Sequence, residues 1–412
     1  MQEKLTNRIV SERLIAQIDF SSWIPETFKA SPDSKRVAYV AHVSNKLFVV
    51  VDGKEGKQYD NIGYGTPIFS PDSKRVAYVA HVGNKWFVVV DGKEEEQYDG
   101  IGKGAPIFSP DSKRVAYGTR VGNKGFVVVD GKEGKQYAGI MKGTPIFSPD
   151  SKRVAYGARV GNKGLMVVDR EEGKQYDGIG DLIFSPDSKR VAYGARVGNK
   201  WFVVVDREEG KRYDGIGRGK GTPIFSPDSK RVAYVAQVNK WFVGNKQLMV
   251  VDGKEGKQYD GIGRGTLIFS PDSKRVAYGA QVGNKQFVVV DGKEGKQYDS
   301  FMGGSLIFSP DSKRVAYVAQ VGANQLVVVD RKEGKRYGNI GDLIFSPDSK
   351  RVAYCTQVGN KGFVVVDGKE GKQYANIVIL GGGRIIFDSP NVLRYLALKI
   401  DAGIYLVEER IE

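Results

Sequence analysis

Few residues in the sequence could carry out chemistry, and the first candidates are its two histidines. His42 and His81 occupy equivalent positions in neighbouring repeats, so a shared metal site is one interpretation. A protein metal site needs further His, Cys or carboxylate ligands at fixed spacing, and no such residue repeats beside the two histidines. The sequence therefore favours structural or surface histidines and predicts no metal site.

The other familiar signatures of catalysis are incomplete. The segment 215–222 contains four glycines, one arginine and one lysine and superficially resembles a phosphate loop, but it lacks the Walker spacing and the strand–loop–helix context. No Gly-x-Ser-x-Gly elbow occurs, and the Asp-Gly-Lys-Glu turns lack the spacing of a calcium loop. Cys355 lies in a predicted strand, where a buried packing thiol is favoured over a nucleophile. We predict no enzyme activity and no cofactor.

The dominant feature is an internal repeat. The nine residues Ser-Pro-Asp-Ser-Lys-Arg-Val-Ala-Tyr recur without change, at intervals of 37 to 44 residues. The copies begin at Ser31, Ser70, Ser109, Ser148, Ser185, Ser226, Ser270, Ser309 and Ser346, and an eroded tenth copy begins at Ser389. A fixed period of about 40 residues indicates a repeat architecture rather than unrelated domains.

Each repeat predicts four antiparallel strands, which we label a, b, c and d. In the second copy they are Thr66–Phe69 (a), Arg75–Val82 (b), Trp86–Val90 (c) and a short strand beginning at Gln97 (d). Strands b and c are rich in β-branched and aromatic residues and apolar on both faces, so both faces should be buried. Four-stranded sheets repeated every 40 residues or so are typical of a β-propeller. The β-helix, the competing repeat fold, has shorter coils and no hairpin turns.

The pattern IFSPDSKRVAY…FVVVDG resembles the TolB-type propeller repeat, the Pro-Asp relative of the WD repeat, over residues 20 to 412. The resemblance implies that the Ser-Pro-Asp turn joins strands a and b. The family often has Gly where this chain has Ser, as at Ser73, so this serine is expected to have a positive φ. The family includes partner-binding periplasmic proteins and propeller domains of serine peptidases, so the resemblance implies no single activity.

The predicted fold is all-β: one closed β-propeller of about ten four-stranded antiparallel blades, forming a single domain over residues 1–412. The C-terminal repeat supplies only three strands, so residues 13–20 are expected to complete the last blade and remove its open edge. Residues 1–12 form an extension with the spacing of a short helix. Blades are expected to start near residues 24, 65, 104, 143, 181, 221, 265, 304, 342 and 384.

Composition limits the class of protein. The chain of 412 residues is 41% hydrophobic, with one cysteine and therefore no internal disulfide. It has no signal-type N-terminus and no apolar run long enough to span a membrane, so we expect a cytoplasmic, monomeric protein without a membrane partner. The net charge of +15 is compatible with an anionic partner, although turn lysines are usually only solvated.

The repeats differ mainly on one face. Successive turns alternate between the ends of a blade, so the nearly constant a–b and c–d turns share one face, while the b–c hairpins and d–a loops share the other. In a two-residue hairpin such as Gly83-Asn84, the residues beside the flanking pair face each other across the strands. The partner-binding residues predicted from this variation are His42, Leu47, His81, Trp86, Arg120, Arg159, Arg196, Trp201, Trp241, Gln281, Gln286, Gln320, Gln325 and Gln357.

The same face carries a basic sector in the third to fifth blades. It consists of Lys103, Arg120, Lys124, Lys142, Arg159, Lys163, Arg196 and Lys200. We expect a non-catalytic recognition platform for a protein partner. One alternative is a binder of nucleic acid or another polyanion through the basic sector, and another is an architectural or sensor module without its own ligand. Drift at exposed positions would also produce variation, and the constancy of the opposite face argues against it.

Overall fold

The protein is all-β, and its computed structural model describes residues 8–102, 106–143, 145–217, 223–240, 244–377, 384–399 and 403–412. Ten antiparallel sheets follow one another along the chain. They are the blades of a β-propeller, and the N-terminal strand pairs with the last one. The predicted ten-bladed propeller is confirmed. These ranges contain no helix with the length and apolarity needed to cross a membrane.

Strands b and c form the centre of every blade, because their Val-rich sequences suit a sheet buried on both faces. In blade 2, the five residues from Val76 to Ala80 are all buried. Strands b are Val37–Val43, Val76–Val82, Val115–Val121, Val154–Val160, Val191–Val197, Val232–Lys240, Val276–Val282, Val315–Val321, Val352–Val358 and Val392–Leu398. Strands c are Lys46–Val51, Lys85–Val90, Lys124–Val129, Lys163–Val168, Lys200–Val205, Gly244–Val251, Lys285–Val290, Asn324–Val329, Lys361–Val366 and Gly403–Ile411.

Strand a is divided in most blades, which the sequence analysis did not predict. The divided strands are Asn61–Ile62 with Ile68–Phe69, Gly100–Ile101 with Ile107–Phe108, Gly139–Ile140 with Ile146–Phe147, Gly215–Ile216 with Ile224–Phe225, Gly261–Ile262 with Ile268–Phe269, Ser300–Phe301 with Ile307–Phe308, and Asn376–Ile377 with Ile386–Ser389. Trp23–Ala30, Gly178–Phe184 and Ile340–Phe345 are continuous. Both pieces pair with strand b of the same blade.

The divided strand corrects two predictions. Strands a begin at residues 23, 61, 100, 139, 178, 215, 261, 300, 340 and 376, up to eight residues before the predicted blade starts. The alternation of turns predicts a d–a loop at residues 141–142, but in the structure these residues interrupt strand a of blade 4 rather than join two blades. The reason is that the Gly-Ile pair before them pairs with the hairpin end of strand b, as Gly139 does with Arg159.

Strand d is also short, and a tyrosine extends its contact with strand c. Strands d are Lys54–Glu55, Lys93–Glu94, Lys132–Glu133, Glu171–Tyr176, Glu208–Glu209, Lys254–Tyr259, Lys293–Glu294, Lys332–Tyr337, Lys369–Glu370 and, in blade 10, Arg8–Gln17. In blade 1, Tyr59 returns to strand c through an isolated bridge with Leu47. Its hydroxyl donates a hydrogen bond of 3.1 Å to Glu94 of blade 2. The same Tyr–Glu contact joins successive blades at Tyr137 and Glu172, Tyr176 and Glu209, Tyr213 and Glu255, Tyr259 and Glu294, and Tyr337 and Glu370.

The closing strand is longer than predicted and starts earlier. It runs from Arg8 to Gln17 and pairs antiparallel with Gly403–Ile411. The helix expected within residues 1–12 is wrong for residues 8–12, because the nine-residue strand c of blade 10 offers main-chain partners along its whole length; residues 1–7 lie outside the described residues. The first and last blades also contact each other, since the Arg394 Nε donates to the Asp33 carbonyl at 3.1 Å.

Contacts divide the chain into two compact units, where the sequence predicts one domain. Unit 1 comprises Met1–Gln97, Ala323–Val327 and Glu333–Glu412, and unit 2 comprises Tyr98–Gly322 and Val328–Lys332. In each unit the core lies between successive blades. In unit 1, for example, Val49 of blade 1 packs in one cluster with Tyr78 and Phe87 of blade 2.

Candidate functional site

The predicted cross-strand pairs are present in the b–c hairpins. The structure pairs His42 with Leu47, His81 with Trp86, Arg120 with Gly125, Arg159 with Gly164, Arg196 with Trp201, Gln281 with Gln286, and Gln357 with Gly362. Gln320 and Gln325 lie on strands b and c of blade 8. This part of the site follows from hairpin register alone.

The long hairpin of blade 6 keeps the register of the others. Gln237 pairs with Gln247, and the ladder continues without a register shift through Asn239 and Asn245 to Lys240 and Gly244, so the described part of the hairpin contains no bulge. The loop itself, including the predicted site residue Trp241, lies outside the described residues, as does Lys103 of the basic sector.

The glutamines at the site have partners within the chain. The side-chain oxygens of Gln247, Gln286 and Gln325 accept hydrogen bonds from main-chain N–H groups of the next blade, at 2.7, 3.2 and 2.7 Å. The side-chain amides of Gln281, Gln320 and Gln357 donate to glycine carbonyls of their own hairpins, at 2.9, 2.8 and 3.0 Å. Part of the sequence variation on this face therefore changes the hydrogen bonds that join neighbouring blades and stabilise individual hairpins. Sequence reasoning missed this role.

Two of the predicted pairs present aromatic rings. The His81 ring stacks on Trp86 with centroids 4.4 Å apart. The Arg196 guanidinium lies 5.8 Å from the centre of the Trp201 ring and donates to the carbonyls of Gly198 and Asp177 at 3.0 and 3.1 Å. Trp201 is half-buried, so part of its surface remains available for a ligand.

Carboxylates neutralise some of the lysines in the basic sector. Lys163 pairs with Asp177, and Lys200 pairs with Asp214 at 2.5 Å. For Arg120, Lys124, Lys142 and Arg159, by contrast, the described part of the chain supplies no ion pair. Arg196 also keeps its charge, because its guanidinium donates to main-chain carbonyls, so the unneutralised positive charge extends from blade 3 to blade 5.

A groove in unit 2 follows strands a from blade 3 to blade 7, of which only the strand of blade 5 is continuous. It consists of three adjoining clefts of about 700, 510 and 300 Å³. The first two clefts share Met141 and Lys142, and the second and third share Trp201, Ile216 and Gly217. We call this feature the unit 2 groove. It combines predicted site residues with strand a residues that sequence reasoning did not select.

Small residues replace valine in the middle of strand b along the first two clefts, and in blade 4 the Met141 side chain lies over this position, 2.8 Å from an ideal Cβ on Gly157. Blades 3, 4 and 5 have Gly118, Gly157 and Gly194 where blades 1 and 2 have Val40 and Val79. In blade 2 the valine fills this space, since a Cβ built on Gly63 would lie 2.7 Å from the Val79 Cβ. In blade 7 the equivalent Gly279 is covered by the Phe301 ring, 1.7 Å from an ideal Cβ. Glycine at the same repeat position in blades 3, 4 and 5 is the sequence signal for the groove.

The opposite face is constant because its residues lock neighbouring blades together. The Arg36 Nε donates to Asp52 of its own blade at 2.7 Å, while its Nη1 donates to the carbonyls of Ser73 and Lys74 of the next blade. Ser73 has the predicted positive φ, at 65°, and its hydroxyl accepts from the Asp33 N–H at 3.1 Å. Constancy here reflects structural constraint, so it does not argue against drift on the variable face, as the sequence analysis supposed.

Among the described residues that line the groove, the acidic side chains are Asp181 and Asp214, and no lining residue is a histidine or a cysteine. Within the described ranges, no three His, Cys, Asp or Glu residues are grouped so that they could hold a metal ion. Burial, together with the nearby Asp342, raises the pKa of the Cys355 thiol to about 12. A thiol in this state is protonated at neutral pH and therefore a poor nucleophile.

We expect Cys355 to resist alkylation in the folded protein. At pH 8, a thiol reagent should label the native chain far more slowly than the urea-unfolded chain, because both burial and the raised pKa suppress the thiolate. Mass spectrometry after timed exposure to iodoacetamide measures this. Equal labelling rates in the two states would contradict the buried position.

No protein-family model matches the sequence, and no curated protein matches it. Similar solved structures include a eukaryotic initiation factor (14% identity, 82% of this chain and 96% of that chain, TM-score 0.48). They also include the β-propeller domain of the Trilobed protease from Pyrococcus furiosus (15% identity, 66% and 94%, TM-score 0.33) and TolB from Acinetobacter baumannii (16% identity, 66% and 84%, TM-score 0.27). Likenesses of this degree carry no information on activity or partner.

Proposed function

We propose that the chain is a recognition module without catalytic activity that binds a protein partner through the unit 2 groove and the adjoining b–c hairpins. The observation that carries this proposal is the groove itself, which joins apolar Met141 and Ile179 to the exposed part of Trp201 and to basic side chains. Trp and Arg in partly closed pockets dominate the affinity of protein interfaces. Loops held by rigid sheets are suited to this role because they lose little freedom on binding.

A polyanion binder is the second candidate, and one observation favours it. Arg120, Lys124 and Lys142 line the largest of the three clefts, and its lining includes no acidic residue. Binding of a long polyanion is disfavoured, because the lysines of blades 4 and 5 are already paired with Asp177 and Asp214. Along the rest of the groove, a nucleic acid backbone would meet the acidic side chains of Asp181 and Asp214 as well as Arg196 and Arg264. We therefore rank a protein partner first.

The proposal is tested by capturing a partner and measuring its affinity for matched variants. The partner is isolated from lysate of the source organism on the immobilised chain and then purified. Trp201→Ala should weaken its binding by about tenfold or more, because truncating a central aromatic anchor removes packing area at the interface. Trp86→Ala is the control, since Trp86 occupies the same hairpin position in blade 2 outside the groove.

Two results would contradict the proposal. One is equal binding by the parent and the Trp201→Ala variant. The other is a captured ligand that is nucleic acid, bound with an affinity that falls steeply with salt as phosphate contacts release counterions. Turnover of a peptide or ester that copurifies with the chain would overturn the non-catalytic part.

A further inference from the structure

A carboxylate joins successive b–c hairpins in most of the repeats. Asp177, for example, pairs with Lys163 of the blade 4 hairpin, and its other oxygen accepts the N–H of Gly198 in the blade 5 hairpin at 2.7 Å. The same double contact joins Asp60 to Lys46 and Gly83, Asp260 to Lys246 and Gly283, and Asp299 to Lys285 and Gly322. One carboxylate thus accepts hydrogen bonds from one lysine ammonium group and from one main-chain N–H group.

Between blades 3 and 4 this carboxylate is replaced by a methyl group. Ala138 occupies the position, since its N–H donates to the Arg159 carbonyl just as the Asp177 N–H donates to the Arg196 carbonyl. The corresponding donors are Lys124 and the N–H of Gly161, and Gly161 has nearly the same φ as Gly198, 55° against 56°. Neither donor has a carboxylate partner in the described part of the chain. The two groups that bind one anion elsewhere are therefore present here at the same repeat positions without that anion.

The surroundings of this position add further positive charge. Ala138 and Lys124 line the cleft of about 700 Å³, together with Arg120 and Lys142. The Arg120 guanidinium lies against the main chain of Gly100, with its Nε 2.9 Å from an ideal Cβ on that glycine. A side chain at residue 100 would displace it, so the glycine permits its position. Three cations thus line one cleft whose lining has no acidic side chain.

We propose that this cleft binds a phosphate group carried by a side chain of the partner, with one phosphate oxygen taking the place of the missing aspartate. This inference rests on the proposed function, because it assigns the partner's chemistry. A phosphate monoester carries a charge of about −1.5 to −2, which matches three cations better than a single carboxylate does. Guanidinium and ammonium groups both bind phosphate oxygens through charge-assisted hydrogen bonds.

A discrete phosphate fits the site better than a phosphate chain does. Farther along the groove, the basic side chains of Arg196 and Arg264 alternate with the acidic side chains of Asp181 and Asp214, and the equivalent lysines in blades 4 and 5 are neutralised by Asp177 and Asp214. A polymer would place successive phosphates beside these carboxylates, where like charges repel.

The test is to restore the missing carboxylate. Ala138→Asp should pair with Lys124 and the Gly161 N–H, and thereby lower the affinity for a phosphoserine peptide by about tenfold. Titration calorimetry at fixed ionic strength would use inorganic phosphate, a phosphoserine peptide and its unphosphorylated form. We expect the parent to bind the first two and not the third. Lys124→Gln should weaken binding to a similar degree.

Ala375→Asp is the matched control, because Ala375 stands in the same repeat position next to Lys361 of blade 9. It should leave the phosphate affinity unchanged. Melting curves establish that all variants are folded.

Three results of the titrations would overturn the inference. The parent chain could bind neither phosphate probe, or the Ala138→Asp variant could bind both probes as tightly as the parent does. The third result is that the parent binds a single-stranded oligonucleotide more tightly than it binds the phosphoserine peptide. A purified partner whose binding depends on Trp201 but not on Ala138→Asp would also overturn it, while leaving the proposed protein-binding function in place. Phosphate binding that Ala138→Asp abolishes, in a chain that captures no protein, would support the site and reject the protein partner.

Discussion

Replacing Arg8 by methionine is expected to lower the free energy of unfolding by about 3–5 kcal/mol, because it leaves a buried carboxylate without its cation. The Glu409 side chain is fully buried, and the Arg8 side chain is 8% exposed. The Arg8 Nη1 lies 3.0 Å from Glu409 Oε2, and its Nη2 donates to the Lys369 carbonyl at 2.5 Å. Arg8 thus ties the closing strand both to blade 10 and to blade 9.

Urea unfolding followed by tryptophan fluorescence measures this effect. Arg13→Met on the same strand is the control, since Arg13 is exposed and its loss should change stability by less than about 0.5 kcal/mol. The double variant Arg8→Met with Glu409→Leu should recover much of the stability, because an apolar pair has no charge to leave unpaired. A loss of under about 1 kcal/mol for Arg8→Met would show that the closing strand contributes little, contrary to the buried pairing.

The fold was predictable because its information is local and repeated. A turn with Pro and Asp, an apolar strand, a two-residue hairpin and a second apolar strand suffice to define the b–c centre of one blade, and Ser70 to Val90 contain all of them. Nine copies then remove the ambiguity that a single short strand would have. The closing strand followed from a count of strands, since an unpaired last blade would expose an edge.

Strand a was predicted less well because its signal is weak. The pieces Gly100–Ile101 and Ile107–Phe108 are two residues long, too short for any periodicity, and glycine is unfavourable in strands. Their strand conformation comes from pairing with strand b, where Gly100 pairs with Arg120 and Ile107 with Ala116. The extent of the closing strand was underestimated for the same reason, since Arg8 to Glu12 depend on partners near the other end of the chain.

The residues of the candidate site also differ in how far the sequence could predict their roles. Hairpin register gave the pairs such as Arg196 with Trp201 directly. The roles of Gln286 and Ala138 depend on the neighbouring blade and could not be obtained from one repeat. Comparing repeats by position would have found Ala138, because aspartate precedes the Gly-Ile or Asn-Ile pair in most copies. It could not have shown that the aspartate binds two hairpins at once.

Acid should destabilise the protein between about pH 4.5 and pH 2, and Glu12 of the closing strand should contribute about 1–2 kcal/mol of that loss. Burial alone would raise the pKa of Glu12, but hydrogen bonds from Lys399, Lys372 and Tyr374 outweigh it and lower the pKa to about 2. The corresponding carboxylates between other blades, such as Glu94, also have lowered pKa values, in that case chiefly through a lysine.

A carboxylate with a lowered pKa stabilises the fold above its unfolded pKa, near 4.5, and this contribution disappears as the pH falls through the folded value. The measurement is the urea midpoint of the parent and of Glu12→Gln at several pH values from 7 to 2.5. At pH 7 the variant should be less stable, because Lys372 and Lys399 lose their shared anion. Below pH 4.5 the two midpoints should converge, since protonation removes the same charge from the parent. Parallel curves over the whole range would show that the Glu12 carboxylate is not held by these lysines in solution, and that the main-chain ladder from Arg8 to Gln17 closes the last blade without it.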